Sequence, residues 1–468
     1  MVQFYTSKKL TLFFLIILCS FFATSQAQTT RYVTKNGAGT KDGLSWANAS
    51  NDIQLMINNS EANDMVWVAR GIYKPIRPAD NLGTIKEDNI SNAFVLKKNV
   101  EVYGGFAGTE TNLSDRNLKG FLNTTILSGK LNLYLNINAR HVVISVGNVG
   151  TARLDGFTIT GGIANNTDYI IVNSRVVTNS NGGGVYIAYS SPTITNCKIN
   201  KNTAGGYGGG IYIEYDSKPY ITNSIIINNN AYRAGGGIVN SSSSPTITNC
   251  TIAATISSIG IFNLYGSLKI NNSIVWGGVG RYPDDNSEPE IKNSLGHGRG
   301  FYTSIDNDNI NASGIKDTDI FNNPSNDNYT LKAGSVAVNK GNNALYTNAS
   351  GSLTTDTDLA GNPRVYQSII DIGAYELGSL TTLSVGEDAV QLKAVELYPN
   401  PAVNSTRLDI GMVDTAAIQI FDINGKLVIE KKNYQSKEIV NISSLKTGVY
   451  LIRVVSTKGN AIKKFIKN

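Results

Sequence analysis

One motif, repeated along the middle of the chain, constrains the fold more than any other feature. Ser191-Pro192-Thr193-Ile194-Thr195-Asn196-Cys197 returns as Ser244-Pro245-Thr246-Ile247-Thr248-Asn249-Cys250, with Lys218-Pro219-Tyr220-Ile221-Thr222-Asn223-Ser224 between them. Weaker copies stand at Leu268–Ser273 and Glu290–Ser294. The shared asparagine falls at Asn196, Asn223, Asn249, Asn272 and Asn293, in steps of 27, 26, 23 and 21 residues. Two residues earlier there is always isoleucine: Ile194, Ile221, Ile247, Ile270 and Ile291. Three residues later come Ile199, Ile226, Ile252 and Val275, and then the column breaks at Gly296. Glycine triplets open three of the units, at 182–184, 208–210 and 235–237.

These units alternate β-branched residues with Gly, Asn, Pro and Ser, and residues 150–300 lack a helical period. Leucine-rich repeats would need a leucine ladder, and propeller blades are longer, about 40–50 residues. A repeat of about 21–27 residues suits one coil of a parallel β-helix, in which like residues stack at about 4.8 Å. The fold expected is therefore all-β, a right-handed parallel β-helix followed by a small C-terminal β-sandwich. The isoleucine columns form the interior and the asparagine column a turn, with amides bonding from coil to coil. Leu154-Asp155-Gly156-Phe157-Thr158-Ile159 reads as an earlier coil, and about 15 residues around Asn165–Asn179 bulge from it as a loop. In this register Ile221 faces in and Thr222 faces solvent. Cys197 and Cys250 lie two coils apart, beyond disulfide reach, and stay free.

The ends of the chain read differently from its middle. Lys8 and Lys9, the apolar run Leu10 to Phe22 and the small-x-small site Ser25-Gln26-Ala27 mark residues 1–27 as a secretory signal peptide, with Gln28 beginning the mature chain and no membrane span left after cleavage. A lipoprotein signal at Cys19 would want a small residue where Leu18 stands. Residues 395–468 carry 11 basic and 6 acidic side chains, whereas 28–394 carry 28 basic against 29 acidic. A neutral body excludes nucleic acid as its partner. In the tail, Asn424-Gly425 between Ile418, Ile420 and Leu427, Ile429 signals a hairpin, Tyr450 to Val455 a further strand, and about seven strands in all. Residues 379–394 show no period and read as a linker. The body then divides into 28–150, the N-terminal part with its cap; 151–300, the repeat coils; and 301–378, the closing segment.

Several stretches resemble known families. Tyr32-Val33, Asp42 to Ala49, Val66-Trp67-Val68-Ala69-Arg70-Gly71-Ile72-Tyr73-Lys74-Pro75 and Val102-Tyr103-Gly104-Gly105-Phe106 to Glu110 resemble the opening of pectin-lyase-like β-helix proteins of Gram-negative surfaces. Tyr329 to Glu376, with Asp358-Leu359-Ala360-Gly361-Asn362-Pro363-Arg364 and Asp371-Ile372-Gly373-Ala374-Tyr375-Glu376, resembles their closing choice-of-anchor segment. Residues 395–468 resemble a type A sorting domain of the type IX secretion system, through Leu397-Tyr398-Pro399-Asn400-Pro401-Ala402, Ile420 to Lys426, Leu445-Lys446-Thr447-Gly448-Val449-Tyr450 and Lys463 to Lys467. The resemblance implies engagement of that secretion machinery by 395–468, passage across the outer membrane, cleavage near the linker, and attachment to the surface or release.

Pectin-lyase-like folds host lyases and hydrolases of acidic polysaccharides, so chemistry has to be weighed. Asn166-Thr167-Asp168, Asp284-Asp285 and Gly296-His297-Gly298 look like hydrolase fragments. Asp168 and Asp284, however, stand 116 residues apart, several coils, too far to flank one bond. A lyase would need a calcium-binding acidic cluster and a base. The central repeats offer only Glu214 and Asp216 as carboxylates and no repeated acidic column to hold a metal, and His141 and His297 lack a third ligand for zinc. No catalytic residue, metal or cofactor is assigned. One outer column is more suggestive: Tyr186 and Tyr212, with Tyr189 and Tyr215, stack one coil apart and are expected to face out as a glycan-binding strip. The bland alternative is that tyrosine simply suits an exposed strand. The reading is a non-catalytic, monomeric surface adhesin or glycan-binding module, with a polysaccharide lyase or hydrolase and a passive structural protein as the alternatives.

Overall fold

The computed structural model describes residues 28–118, 124–253, 259–296, 301, 308–366, 368–378, 395–410, 415–422, 427–456 and 459–468. The expected signal peptide (1–27), the expected linker (379–394), the expected turn at Asn424-Gly425 and His297 lie outside the described residues. The chain separates into one compact unit ending at Gly378 and another beginning at Ser379.

The first unit is a parallel β-helix. Its first sheet runs from Thr30–Val33 through Arg153–Asp155, Thr193–Thr195, Tyr220–Thr222 and Thr246–Thr248 to Glu290–Lys292, and its second from Gly71–Tyr73 through Lys198–Asn200 to Ile310–Asn311. A third sheet contains Val143–Val146, Val185–Ala188, Ile211–Glu214, Ile238–Ser241 and Ile261–Leu264. The isoleucine ladder is its spine. Leu154, Ile194, Ile221, Ile247, Ile270 and Ile291 are register partners in turn and are all buried. Each such side chain contributes about 1.5–3 kcal/mol by leaving water. The second column, Ile159, Ile199, Ile226, Ile252 and Val275, ends at Gly296, where the ring of Phe301 occupies the vacated place; a Cβ on Gly296 would stand 2.1 Å from it. The free thiols of Cys197 and Cys250 are buried. The amide N–H of Cys197 donates to Ser224 Oγ and that of Cys250 to Ser273 Oγ, each at 3.1 Å.

Asn196, Asn223, Asn249, Asn272 and Asn293 all take the left-handed conformation, φ 45–52°, which asparagine tolerates better than other side chains. Their amides depart from the coil-to-coil pattern expected. Of these five, Asn272 alone donates to the amide of the preceding coil, at Asn249 Oδ1 (3.2 Å); Asn196 reaches Asp155, Asn223 reaches the Tyr346 hydroxyl and Asn249 reaches the carbonyl of Asp371. An amide pair the repeat reading passed over lies in the interior, where Asn202 Nδ2 donates to Asn229 Oδ1 at 3.0 Å.

For Asn223 and Asn249 the cause of that departure is the closing segment, which folds back along the asparagine corner. Buried carboxylates pin its irregular backbone. Asp358 accepts from the N–H groups of Ala360, Asn362 and Glu376; Asp371 from those of Asn339 and Leu377; Glu376 from those of Tyr366 and Asp371. Arg364, fully buried, donates to the carbonyls of Asp371 and Gly373. Thr222 consequently does not face solvent. It points out of the coil as expected but is 8% exposed, and its hydroxyl donates to Thr195 Oγ1.

The second unit contains seven described antiparallel strands between Glu396–Tyr398 and Gly459–Lys467, arranged in a three-stranded and a four-stranded sheet. Alternating residues Ile418, Ile420, Ile452 and Val454, with Tyr434 and Phe465, form its core. This is the small sandwich that the strand count predicts.

Candidate functional site

The four tyrosines of the expected strip divide into two pairs. Val185 and Ile187 point inward, so Tyr186 and Tyr212 point away from the interior. They are nevertheless buried, at 0% and 6% exposure, and cannot contact a glycan. The loop expected near Asn165–Asn179 is an antiparallel hairpin, Tyr169–Val172 with Arg175–Thr178, and Val172 and Val177 pack with both tyrosines into a second apolar cluster outside the solenoid. The Tyr186 and Tyr212 hydroxyls close on the carboxylate of Glu214. Burial raises the pKa of Glu214, against those two bonds. Tyr189 and Tyr215, one position past the strands, are exposed at 36% and 46%. Their rings stack with centroids 4.7 Å apart and planes 6° from parallel, and the Arg175 guanidinium lies 4.2 Å from the Tyr189 centroid.

The other feature is a cleft of about 660 Å³ over the outer face of the first sheet. Tyr103, Arg153, Asp155, Thr195 and Tyr220 form its floor, Arg116 and Leu118 one wall, and Tyr346, Asp356 and Thr357 of the closing segment the other. Tyr103 and Asp155 are register partners, and Asp155 stands in the column that later coils fill with Thr195, Thr222 and Thr248. Arg116 Nη1 reaches Asp155 Oδ1 and Arg153 Nη2 reaches Oδ2, both at 2.9 Å, and Asn196 Nδ2 donates to Oδ1. Burial works to raise the Asp155 carboxyl; the two guanidiniums and the Asn196 amide outweigh it and hold the group below the ordinary carboxylate range. Both arginines also lie against the Tyr103 ring, at 5.3 and 5.9 Å. Tyr103 donates to Glu101 Oε2, and Tyr346 donates to Asp356 Oδ2. Burial foremost raises the pKa of both phenols, so they remain protonated at neutral pH. The Asp155 side chain is 2% exposed and that of Arg153 33%, so a molecule in the cleft meets the guanidinium with the carboxylate behind it.

The residues weighed for hydrolysis do other work. Asp168 pairs with Arg140 at 3.0 Å and accepts from Asn179; Asp284 accepts from the Tyr265 hydroxyl; Asp285 accepts from the Tyr265 N–H and from Ser287. His141 is buried with Nδ1 at 2.9 Å from the Gly182 carbonyl, and burial lowers its pKa to about 4. No group of three metal-ligating side chains occurs among the described residues. The cleft was not found from the sequence. Its signal was the charge that breaks the threonine column at Asp155, two residues after Arg153.

Comparison with known proteins agrees with this architecture. Residues 142–295 match a family model described as a right handed beta helix region, and residues 396–468 match one described as a secretion system C-terminal sorting domain. An endo-acting ulvan lyase of Formosa agariphila is 26% identical over 155 residues, 33% of this chain and 27% of the relative. Ulvan lyase NLR42 of Nonlabens ulvanivorans is 38% identical over 77 residues, 16% and 14% of the two chains. The chain therefore spans well under half the length of either relative. Among solved structures, PorZ, a surface component of the type-IX secretion system of Porphyromonas gingivalis, aligns over 16% of this chain and 12% of its own at 19% identity, with a TM-score of 0.15. The protein is thus an exported right-handed β-helix whose C-terminal domain directs it to the cell surface or the extracellular space, and no described helix is long and apolar enough to cross a membrane.

Proposed function

We propose that this exported β-helix is a non-catalytic glycan-binding protein of the cell surface, holding an acidic saccharide in the cleft over the first sheet. The observation that carries the reading is the Arg116–Asp155–Arg153 cluster beside Tyr103. Its accessible edge is the half-buried Arg153 guanidinium, with the exposed Tyr220 ring on the same floor, a surface suited to a carboxylated or sulfated sugar ring. Asp155 is held ionised by two cations and the phenols of Tyr103 and Tyr346 stay protonated, so none of the three is suited to abstract a proton, and Asp356 in the wall is engaged by the Tyr346 hydroxyl and the Ser352 N–H. Those engagements support binding over turnover. The partial likeness to ulvan lyases favours a second reading, a lyase acting on such a glycan, and points to ulvan as a probe.

Two measurements separate the readings. Binding of ulvan and oligogalacturonate fragments to the whole protein should weaken at least tenfold in Arg153→Gln, and incubation should release no unsaturated or reducing ends. Product release that depends on Arg153 would establish the lyase instead, and binding untouched by Arg153→Gln would remove the cleft from the account.

A further inference from the structure

The exposed tyrosine corner contains a gap of defined size. Register places Gly147, Tyr189, Tyr215, Ser242 and Tyr265 in one column, each one position past a strand of the third sheet. All five are left-handed, with φ of 82, 52, 55, 46 and 51°. Tyrosine in that conformation is uncommon, and here it recurs at three of the four non-glycine positions. The hairpin tip closes one end of the column: Asn173 Nδ2 donates to the Val146 carbonyl beside Gly147, and Arg175 covers Tyr189 on the face away from Tyr215. At Ser242 a ring is missing. Beyond it Tyr265, 56% exposed, is tied by its hydroxyl to Asp284.

Two coil steps separate Tyr215 from Tyr265, about 9.6 Å at the inter-strand spacing. A ring inserted midway lies about 4.8 Å from each, close to the 4.7 Å at which Tyr189 and Tyr215 already stack. We propose that the slot over Ser242 takes one pyranose ring of a neutral glycan, its apolar faces against Tyr215 and Tyr265. The surrounding polar groups are exposed oxygens: the Ser242 hydroxyl and the carboxylates of Asp216 and Asp284. They accept hydrogen bonds from sugar hydroxyls and repel an anionic sugar, the opposite preference to that of the arginine-lined cleft. The slot shares with the cleft only the class of ligand. It uses another corner of each coil and none of the cleft's side chains.

The test uses the whole protein with cellohexaose, laminarihexaose and xylohexaose as probes, read by calorimetry and tyrosine fluorescence. Ser242→Tyr fills the gap and makes the column continuous, on a backbone that already accepts tyrosine one coil away on either side. At least one hexaose should bind the unmodified protein, tenfold or more weaker in Ser242→Tyr and in Tyr265→Ala, with thermal midpoints unchanged and Arg153→Gln without effect. If none of the three binds, if binding survives Ser242→Tyr, or if Arg153→Gln abolishes it, the slot is not a sugar site. Binding of acidic fragments that depends on Arg153 and ignores Ser242→Tyr would leave the cleft reading standing in each case.

Discussion

The hydroxyl of Thr222 donates to the hydroxyl of Thr195 one coil away, at 2.8 Å, in a place the closing segment shields from water. Both threonines point away from the solenoid interior, yet neither is a surface residue. Outward and exposed are separate properties in this fold, and the first prediction depends on the difference.

Ile221→Asp places a carboxylate in the isoleucine ladder without a partner and should cost several kcal/mol. Thr222→Asp loses the Thr195 bond and buries charge beside Tyr346 and Asp356, so it should also destabilise, by about 1–3 kcal/mol. Thermal unfolding of the two variants checks the order. A neutral Thr222→Asp would mean that the closing segment does not cover the first sheet.

Gly296→Val restores the residue type of its column, as in Val275, and should nonetheless destabilise. The Phe301 ring already occupies that volume, and overpacking costs roughly 1–3 kcal/mol. Gly296→Val combined with Phe301→Ala should lose less than the two single losses together, which a double-mutant cycle in denaturant measures.

Cys197 and Cys250 should resist thiol reagents in the native protein and react fully once it unfolds. Burial pushes both thiols up to about 12, leaving little thiolate at neutral pH. Mass spectrometry of the non-reduced protein should find them unlinked.

His141 should contribute an acid-sensitive part of the stability of the body. Its folded pKa is about 4 against an ordinary 6.5, so between those values the unfolded chain binds a proton that the native chain refuses. Stability is then complete above about pH 6.5 and falls as pH drops toward 4, by roughly 3 kcal/mol from this group. Glu376, which burial raises to about 8, works in the opposite direction over this range, so the check is a comparison: in urea at pH 7 and pH 5 the His141→Asn variant should lose less stability, or gain more, on acidification than the unmodified protein.

A chain ending at Gly378 should keep the cooperative unfolding of the body but fail to reach the cell surface, because the sorting domain is a separate unit. Surface protease accessibility in the native host decides it. Arrival of the truncated chain at the surface would show that export does not need 396–468.

The coils were legible because their evidence is local and repeated. Ile194, Ile221 and Ile247 recur with the period of the coil, and left-handed turns favour the asparagines that follow them. What covers the coils was not legible. The repeat places Tyr186 and Tyr212 outward, but the hairpin at 169–178 that buries them is an insertion outside the repeat, and its landing place leaves no periodic trace. Asn223 likewise finds its partner in Tyr346, 123 residues later. The Arg116–Asp155 pair joins residues 39 apart that share no motif. The site is assembled from departures from the repeat, where a method built on recurrence is blind.

The closing segment also gives the molecule a direction in time. A solenoid of this kind could grow coil by coil, each new turn stabilised by the last. Here the amides of Asn223 and Asn249 wait for Tyr346 and Asp371. More than a hundred residues follow those turns before the partners of the two amide N–H groups appear in the chain. The coils can stack on one another without the closing segment, but the Asn223 and Asn249 amides gain these partners only when the last part of the body docks on them.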